Sequence, residues 1–322
     1  MPLMNAAVVT SFDEPPHYKQ VEVPRPASDD EAVVDVLAVG LHPRVRTGAA
    51  GAHYTSTRTL PMIPGVDGVG RRQDGAAIYF VAHDDIVGTM ADKAVADLRR
   101  SVELPAEADI VKVAAALNPA MSSWVALRRR IQLKSGQSVF VLGATGNAGA
   151  MAVQVARLLG AGTVVGAGRD PDRLEALKDL GADSIVPLTA DPDATAKELA
   201  AAAKDTDVVI DYLWGEPAQR TMIALLTART DRSRPLDWIQ IGAVAGPSIE
   251  LPSVALRSAN VRVQGSGQGA VSTAAYLVEL PSLIDEISAG NIKVETATAA
   301  LADVERVWLE PDTPGVRTVL VP

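Results

Sequence analysis

The sequence predicts an α/β protein: a doubly wound parallel sheet joined to a smaller, β-rich domain. Three features of the 322-residue chain carry that prediction. From about Asn118 onward, short apolar runs alternate with Ala-rich helical stretches, as in a parallel sheet covered by helices on both faces. Before that point the chain is strand-like and irregular, and it holds every histidine of the sequence. A glycine-rich segment follows the first continuous apolar run and opens a helix.

The elements follow in order. Residues 6–10, 32–39 and 76–81 are apolar or alternating runs flanked by turn residues, the pattern of strands. Residues 138–142 form an unbroken apolar run, as a strand buried on both faces should. A helix over 148–159 comes next, with Gly160 at its C-terminal cap. Residues 163–167 form the next strand. Asp170 and Pro171 then open a second helix as N-cap and first helical residue, and Gly181 ends it. Strands are expected at 184–186, 207–211, 238–242 and 261–265, then a helix over 274–288 and a last strand over 316–321. That tail is too short to fold alone. We therefore expect residues 1–117 and 259–322 to form one discontinuous β-rich domain, and 118–258 to form the parallel-sheet domain.

Composition removes several function classes. The net charge of −9 argues against a nucleic-acid partner, which requires a basic surface to displace counterions. With no cysteine, the chain has no disulfide, no catalytic thiol and no thiolate zinc cluster. The N-terminus lacks the pattern of a secretory signal. No unbroken run approaches the ~18 apolar residues of a membrane span. A cytoplasmic location without membrane association is the expectation.

The segment Gly143-Ala144-Thr145-Gly146-Asn147-Ala148-Gly149 has the spacing G-x-x-G-x-x-G between a strand and a helix. Small residues there let the backbone approach a pyrophosphate, and the helix N-terminus offers free N–H groups. A dinucleotide is the ligand this context implies, against a merely structural turn. NAD-binding proteins place an acid about 20 residues further on, where this chain has Gly168 followed by Arg169. The missing carboxylate at Gly168 makes room, and the Arg169 guanidinium gives a bidentate partner for a 2′-phosphate, so NADPH is expected; a solvated Arg169 is the alternative. Asp170, the alternative ribose ligand, has a capping position instead.

These and further motifs carry a resemblance. Pro64-Gly65-Val66-Asp67-Gly68-Val69-Gly70, the segment from Ala38 to Gly48, Asn118 to Trp124, Asp211-Tyr212-Leu213-Trp214-Gly215 and Ile241 to Gly246 occur in the order and spacing of one family. The chain resembles the medium-chain dehydrogenase/reductase superfamily, in its zinc-free quinone oxidoreductase branch. The resemblance implies a Rossmann domain and a GroES-like catalytic domain. Zinc-dependent relatives carry Gly-His-Glu where this chain reads Gly65-Val66-Asp67, and they carry a catalytic Cys. The spacing of His42, His53 and His83 matches no metal-ligand pattern, so no zinc is expected.

The resemblance also implies the site. Gly143, Thr145, Gly146, Asn147, Ala148, Gly149, Gly168 and Arg169 would hold the phosphates. Tyr212, Leu213, Gly242 and Ala243 would line the ribose and nicotinamide, with Trp214 nearby; for Tyr212 and Trp214 core packing is the competing role. Ser123 would touch the cofactor, with a role at a helix N-terminus as the alternative. Gly265, Ser266 and Gly267 belong to a glycine cluster that would approach the nicotinamide end. His42 and Tyr54 are the candidate proton donors, and Asp67 is expected to be a buried structural carboxylate. Arg128-Arg129-Arg130 reads as a solvated face.

Without zinc, a conjugated acceptor is easier to reduce than a simple carbonyl. A quinone is the expected substrate. Enones or enoyl thioesters are the alternative, and a non-catalytic NADPH-binding protein is a third reading. Pairing of the 261–265 strand edge between subunits would give a homodimer.

Overall fold

The computed structural model describes residues 2–322 except 54, 55, 83, 85 and 268. The chain divides into two compact units. One comprises Met1–Asn118, Leu277–Gly290 and Val294–Pro322; the other comprises Pro119–Tyr276 and Asn291–Lys293.

The first unit is β-rich. Its early strands are β1 (Leu3–Val8), β2 (His17–Glu22), β3 (Glu31–Leu41), β4 (Asp67–Arg71), β5 (Ala77–Val81), β6 (Lys93–Asp97) and β7 (Val102–Glu103), with helix α1 (Pro43–Ala49) after β3. Helix α2 (Ile110–Val125) leads into the second unit. By length and composition the helical stretch Ile110–Arg130 could cross a membrane, yet 67% of its apolar window is buried inside the protein. Counting unbroken apolar residues misses this stretch, because Lys112, Asn118 and Ser122 interrupt it.

The second unit holds β8 (Ser138–Leu142), β9 (Thr163–Gly168), β10 (Ser184–Pro187), β11 (Val208–Asp211), β12 (Leu236–Gln240) and β13 (Val261–Gly265). Helices α3 (Asn147–Leu158), α4 (Pro171–Ala176), α5 (Pro192–Ala203), α6 (Gly215–Ala228) and α7 (Ser253–Ser258) connect them. The strands pair in parallel in the order β10-β9-β8-β11-β12-β13. Numbered within the unit this is 3-2-1-4-5-6, the Rossmann order, with its reversal between β8 and β11. Phe140, Leu142, Val209 and Trp238 are buried on this sheet and carry its core. Burying each such side chain contributes about 1.5–3 kcal/mol.

Helix α8 (Thr273–Ser288) returns the chain to the first unit, which ends with β14 (Glu295–Ala300), α9 (Val304–Leu309) and β15 (Val316–Val321). The return occurs at Leu277 rather than at 259, because β13 is hydrogen-bonded to β12 as the end strand of the parallel sheet. The long β3 pairs antiparallel with β6 along its first half, with β4 on its other edge and with β15 near its end. That last pairing brings the final strand of the chain beside the segment that leads to His42.

Candidate functional site

The cofactor candidates gather at the carboxyl ends of the parallel strands. Gly143 leaves β8 with φ +88°, a conformation that favours glycine. The N–H groups of Gly143 and Ala144 both donate to the Ala167 carbonyl, 3.0 and 2.8 Å away, so the loop is tied to β9. A Cβ on Gly149 would strike the Gly143 carbonyl oxygen, so α3 can pack this closely only with glycine there. A Cβ on Gly146 would meet nothing nearer than 3.4 Å, and Gly146 is exposed, which leaves the outer face of the loop clear. No side chain caps α3. Its first N–H groups therefore remain available to an anion, with the partial positive charge of the helix end behind them. A pyrophosphate fits this cradle.

At the end of β9, any side chain on Gly168 would collide with Thr145. Arg169 is exposed and has no ionic or hydrogen-bond partner among the described residues. Asp170 caps α4, accepting from the Arg173 N–H at 3.1 Å. The sequence reading missed Arg173 itself. Its guanidinium Nη2 donates to Asn147 Oδ1 at 3.2 Å, inside the glycine loop. Burial pushes its pKa down, only partly offset by the nearby Asp170.

The facing wall is built around Asp211, which is fully buried at the end of β11. Its Oδ1 accepts from the Leu213 and Trp214 N–H groups at 2.8 and 2.9 Å, and its Oδ2 accepts from Trp238 Nε1 at 3.0 Å. Burial raises the pKa of this carboxyl, and those hydrogen bonds oppose the shift. The loop so held contains Trp214 at φ +51°, a strained value for a bulky residue. A Cβ on Gly143 would lie 3.0 Å from the Leu213 side chain, so the β8 and β11 loops meet at the sheet's reversal point. The β12 loop joins them: a Cβ on Gly242 would lie 2.5 Å from the Tyr212 carbonyl oxygen, and the Ala245 N–H donates to Leu213 O at 2.8 Å. Gly242 and Ala243 thus sit beside Tyr212 and Leu213.

Tyr212 is buried, and its hydroxyl lies 2.9 Å from Ser122 Oγ. Burial raises the phenol to about 12, against hydrogen bonds from Ser122 and Ser123. Ser123 is also buried, late in α2, and donates to Ala120 O at 3.1 Å. A helix N-terminal role for Ser123 is therefore corrected: it lies near the opposite end of its helix and braces Tyr212. Arg130 is not a solvated residue. Its Nε and Nη1 donate to Gly265 O and Ala270 O at 3.1 and 3.3 Å, spanning the glycine cluster. Ser266 is buried there, with its N–H on Gln240 O at 2.8 Å. Arg128 lies over the Trp124 ring, 5.3 Å from its centroid.

The first unit carries a separate polar array. His42 is buried, with Nε2 3.4 Å from Asp67 Oδ1. Tyr79, paired into the sheet through β5, donates its hydroxyl to Asp67 Oδ2 at 2.6 Å. Burial first, then the Asp67 charge, holds the Tyr79 phenol well above its ordinary range. Asp67 is buried, as expected of a structural carboxylate, but it also holds the candidate donor. Tyr54 and His83 lie outside the described residues. Beside the array a small, solvent-open recess of about 30 Å³ is lined by residues between Arg44 and Val66.

The sequence profile of a family described as "Zinc-binding dehydrogenase" matches residues 148–280. The "Probable NADPH-dependent quinone reductase tdiC" of Emericella nidulans is 30% identical over 362 aligned positions, which cover 99% of this chain and 100% of that protein. This chain belongs to the quinone oxidoreductase branch of the medium-chain dehydrogenase/reductase superfamily. It is an oxidoreductase. Within the same branch, the "Quinone oxidoreductase" of Pongo abelii is 34% identical over 49% of this chain and 51% of its own. The quinone oxidoreductase of Thermus thermophilus, solved also in complex with NADPH, superposes with a TM-score of 0.79 at 24% identity. That match covers 99% of this chain and 100% of the other, and it shows the shared Rossmann and GroES-like fold. The stretch matched by the zinc-binding profile contains neither Cys nor His here.

Proposed function

We propose that this oxidoreductase uses NADPH to reduce quinones without zinc. The observation that carries the cofactor assignment is the end of β9: Gly168 in place of a carboxylate, with Arg169 and Arg173 as the cations beside it and Asn147 holding Arg173 toward the phosphate loop. A 2′-phosphate would give Arg173 a charged partner where it now has an amide oxygen. The uncapped start of α3 would hold the pyrophosphate. Tyr212, Leu213, Gly242, Ala243 and the Gly265-Ser266-Gly267 loop would shape the remainder of the site, with Ser123 and Arg130 fixing two of those walls.

When bound, the nicotinamide supplies a hydride. Addition of that hydride to a quinone delivers two electrons and one hydrogen nucleus, leaving a hydroquinone monoanion that takes one further proton. His42 is the group proposed to deliver it, with Asp67 orienting the imidazole and Tyr79 fixing Asp67. Tyr54 is the second candidate. A reading without zinc rests on ligand chemistry. The chain has no Cys, Val66 stands in the turn where zinc-dependent relatives have His, and no three ligating side chains converge among the described residues.

The test is NADPH and NADH oxidation by the purified protein against quinones, enones and enoyl thioesters, with and without prior chelation. Quinone turnover that prefers NADPH and survives chelation is the expected result. Turnover of activated alkenes alone would replace the substrate assignment, and loss of activity restored by zinc would overturn the metal assignment.

A further inference from the structure

We infer that Arg130 is a positioning residue that sets which oxidation state of the cofactor the site prefers. It braces the loop after β13 and places an unneutralised positive charge behind it, so the neutral, reduced nicotinamide is held more tightly than the cationic, oxidised one. The inference rests on the NADPH reading and adds a redox-state preference to it.

The chain builds this arginine into place. Helix α2 widens at its end into a π turn over Ala126–Arg130, in which the Ile131 N–H donates to Ala126 O at 3.3 Å. Just beyond it Gln132 takes φ +52°, in the left-handed region that favours glycine. Wide turns of this kind are rare and recur at functional sites. This one leaves Arg128 and Arg129 exposed and Arg130 half-buried.

The Arg130 fork then bridges the two ends of the glycine-rich loop, with Nε on Gly265 O at 3.1 Å and Nη1 on Ala270 O at 3.3 Å. Inside that span the Ala270 N–H donates to Gly267 O at 3.0 Å, and the Ser266 N–H donates to Gln240 O at 2.8 Å. Gln240 Nε2 in turn donates to Gly242 O at 2.9 Å. The two loops that would meet the nicotinamide half are therefore tied together through Gln240, and Arg130 braces one of them from outside. All of these residues belong to the same compact unit.

The brace leaves its charge standing. Both partners of Arg130 are neutral carbonyls, and no carboxylate pairs with it among the described residues. Residues 241–247 and 265–272 contain no acidic or basic side chain. Asp211, at the base of the third loop, has both oxygens committed to N–H donors. A carbonyl pair orients a guanidinium without cancelling its charge, and in a partly desolvated site that charge acts across several ångströms. Loss of hydride turns a neutral dihydronicotinamide into a cation. The Arg130 field therefore favours entry of NADPH and departure of NADP+.

Calorimetry tests this without turnover. The ligands are NADPH, NADP+ and adenosine 2′,5′-bisphosphate, which carries the 2′-phosphate end and no nicotinamide; the proteins are wild type, Arg130→Lys, Arg130→Gln and Arg130→Met. Wild type should bind NADPH at least about threefold more tightly than NADP+, the size of one charge–charge interaction across a partly solvated site. Arg130→Gln and Arg130→Met should lower that ratio about threefold or more. Arg130→Lys keeps the charge but lacks the fork, so it should weaken both forms and retain the ratio. The bisphosphate should bind all four proteins alike, which shows that each variant is folded and its phosphate end intact. Equal wild-type affinities for NADPH and NADP+ would overturn the inference, a measurement that needs no variant. A ratio that survives in both Arg130→Gln and Arg130→Met would overturn it too, and a ratio lost equally in Arg130→Lys would replace charge with loop geometry as the cause. Wild type that binds neither NADPH nor the bisphosphate would sink the NADPH reading itself.

Discussion

A partly buried guanidinium with an amide oxygen for a partner sits in a costly environment, and Arg173 is held in one. A phosphate between Arg169 and Arg173 would relieve that cost, so the two residues should act on NADPH and hardly at all on NADH. Arg173→Ala is expected to weaken NADPH binding about 10- to 100-fold, and Arg169→Ala by less, since Arg169 is exposed and screened. Fluorescence titration with both cofactors checks this, and equal losses for NADH would remove the assignment. The proton donor makes a second residue-scale case. His42→Gln should lower kcat for quinones about 100-fold at an unchanged NADPH Kd, the order expected for loss of a general acid. The pH profile of kcat should flatten with it; a profile identical to wild type would leave His42 a structural role only. At this scale the sequence was legible where chemistry is local. Asp170 is a cap by its position before Pro171. Arg173 escaped notice because its partner Asn147 is distant in the chain and meets it only once α4 has docked beside the loop. Tyr79 escaped for the same reason, since only the register of β4 on β5 carries it to Asp67.

The loop after β11 shows how one element is shaped by one carboxylate. Asp211 satisfies two N–H groups of a turn that contains the strained Trp214, and anchors the turn to the core through Trp238. Asp211→Asn keeps one acceptor oxygen but turns an amide N–H₂ toward Trp238 Nε1. A buried donor loses its partner, at a cost of about 1–3 kcal/mol. The pH dependence has a sign. Burial raises the folded-state pKa of Asp211, so its contribution to stability is fully present below the unfolded carboxylate value and is lost as pH rises through the raised one. The stability gap between wild type and Asp211→Asn should therefore be widest in acid and narrow as pH rises through that window. Denaturant melts at several pH values measure it, and a gap that widens with pH would contradict the assignment. Among elements, the central parallel strands were plain in the sequence because burial on both faces writes an unbroken apolar run. β2 and β14 were not, since HYKQVE and ETATAA are half-exposed and owe their conformation to one neighbouring strand rather than to a pattern of their own.

At the scale of the molecule, the order of motifs fixed the two folds more firmly than any single motif did, but the return point slipped because β13 reads equally well as a strand of either domain. Its place at the end of the parallel sheet has a consequence for assembly. β13 pairs with β12 on one side, and it has no strand on the other among the described residues. Val263 is 37% exposed there, and Arg262 is drawn into an ion pair with Asp237 rather than left to guard the edge. An unpaired edge with an exposed β-branched residue invites a second copy, and a two-fold axis closes the pairing so that it does not propagate. We therefore expect a homodimer joined through β13. Sedimentation at micromolar concentration should report about twice the 33.7 kDa chain mass. Val263→Lys, which places a charge on the edge without touching the core, should shift the protein to monomer while NADPH binding in dilute solution persists. A wild type that sediments as a single chain would remove the dimer. A Val263→Lys variant that remains dimeric would move the interface to another surface.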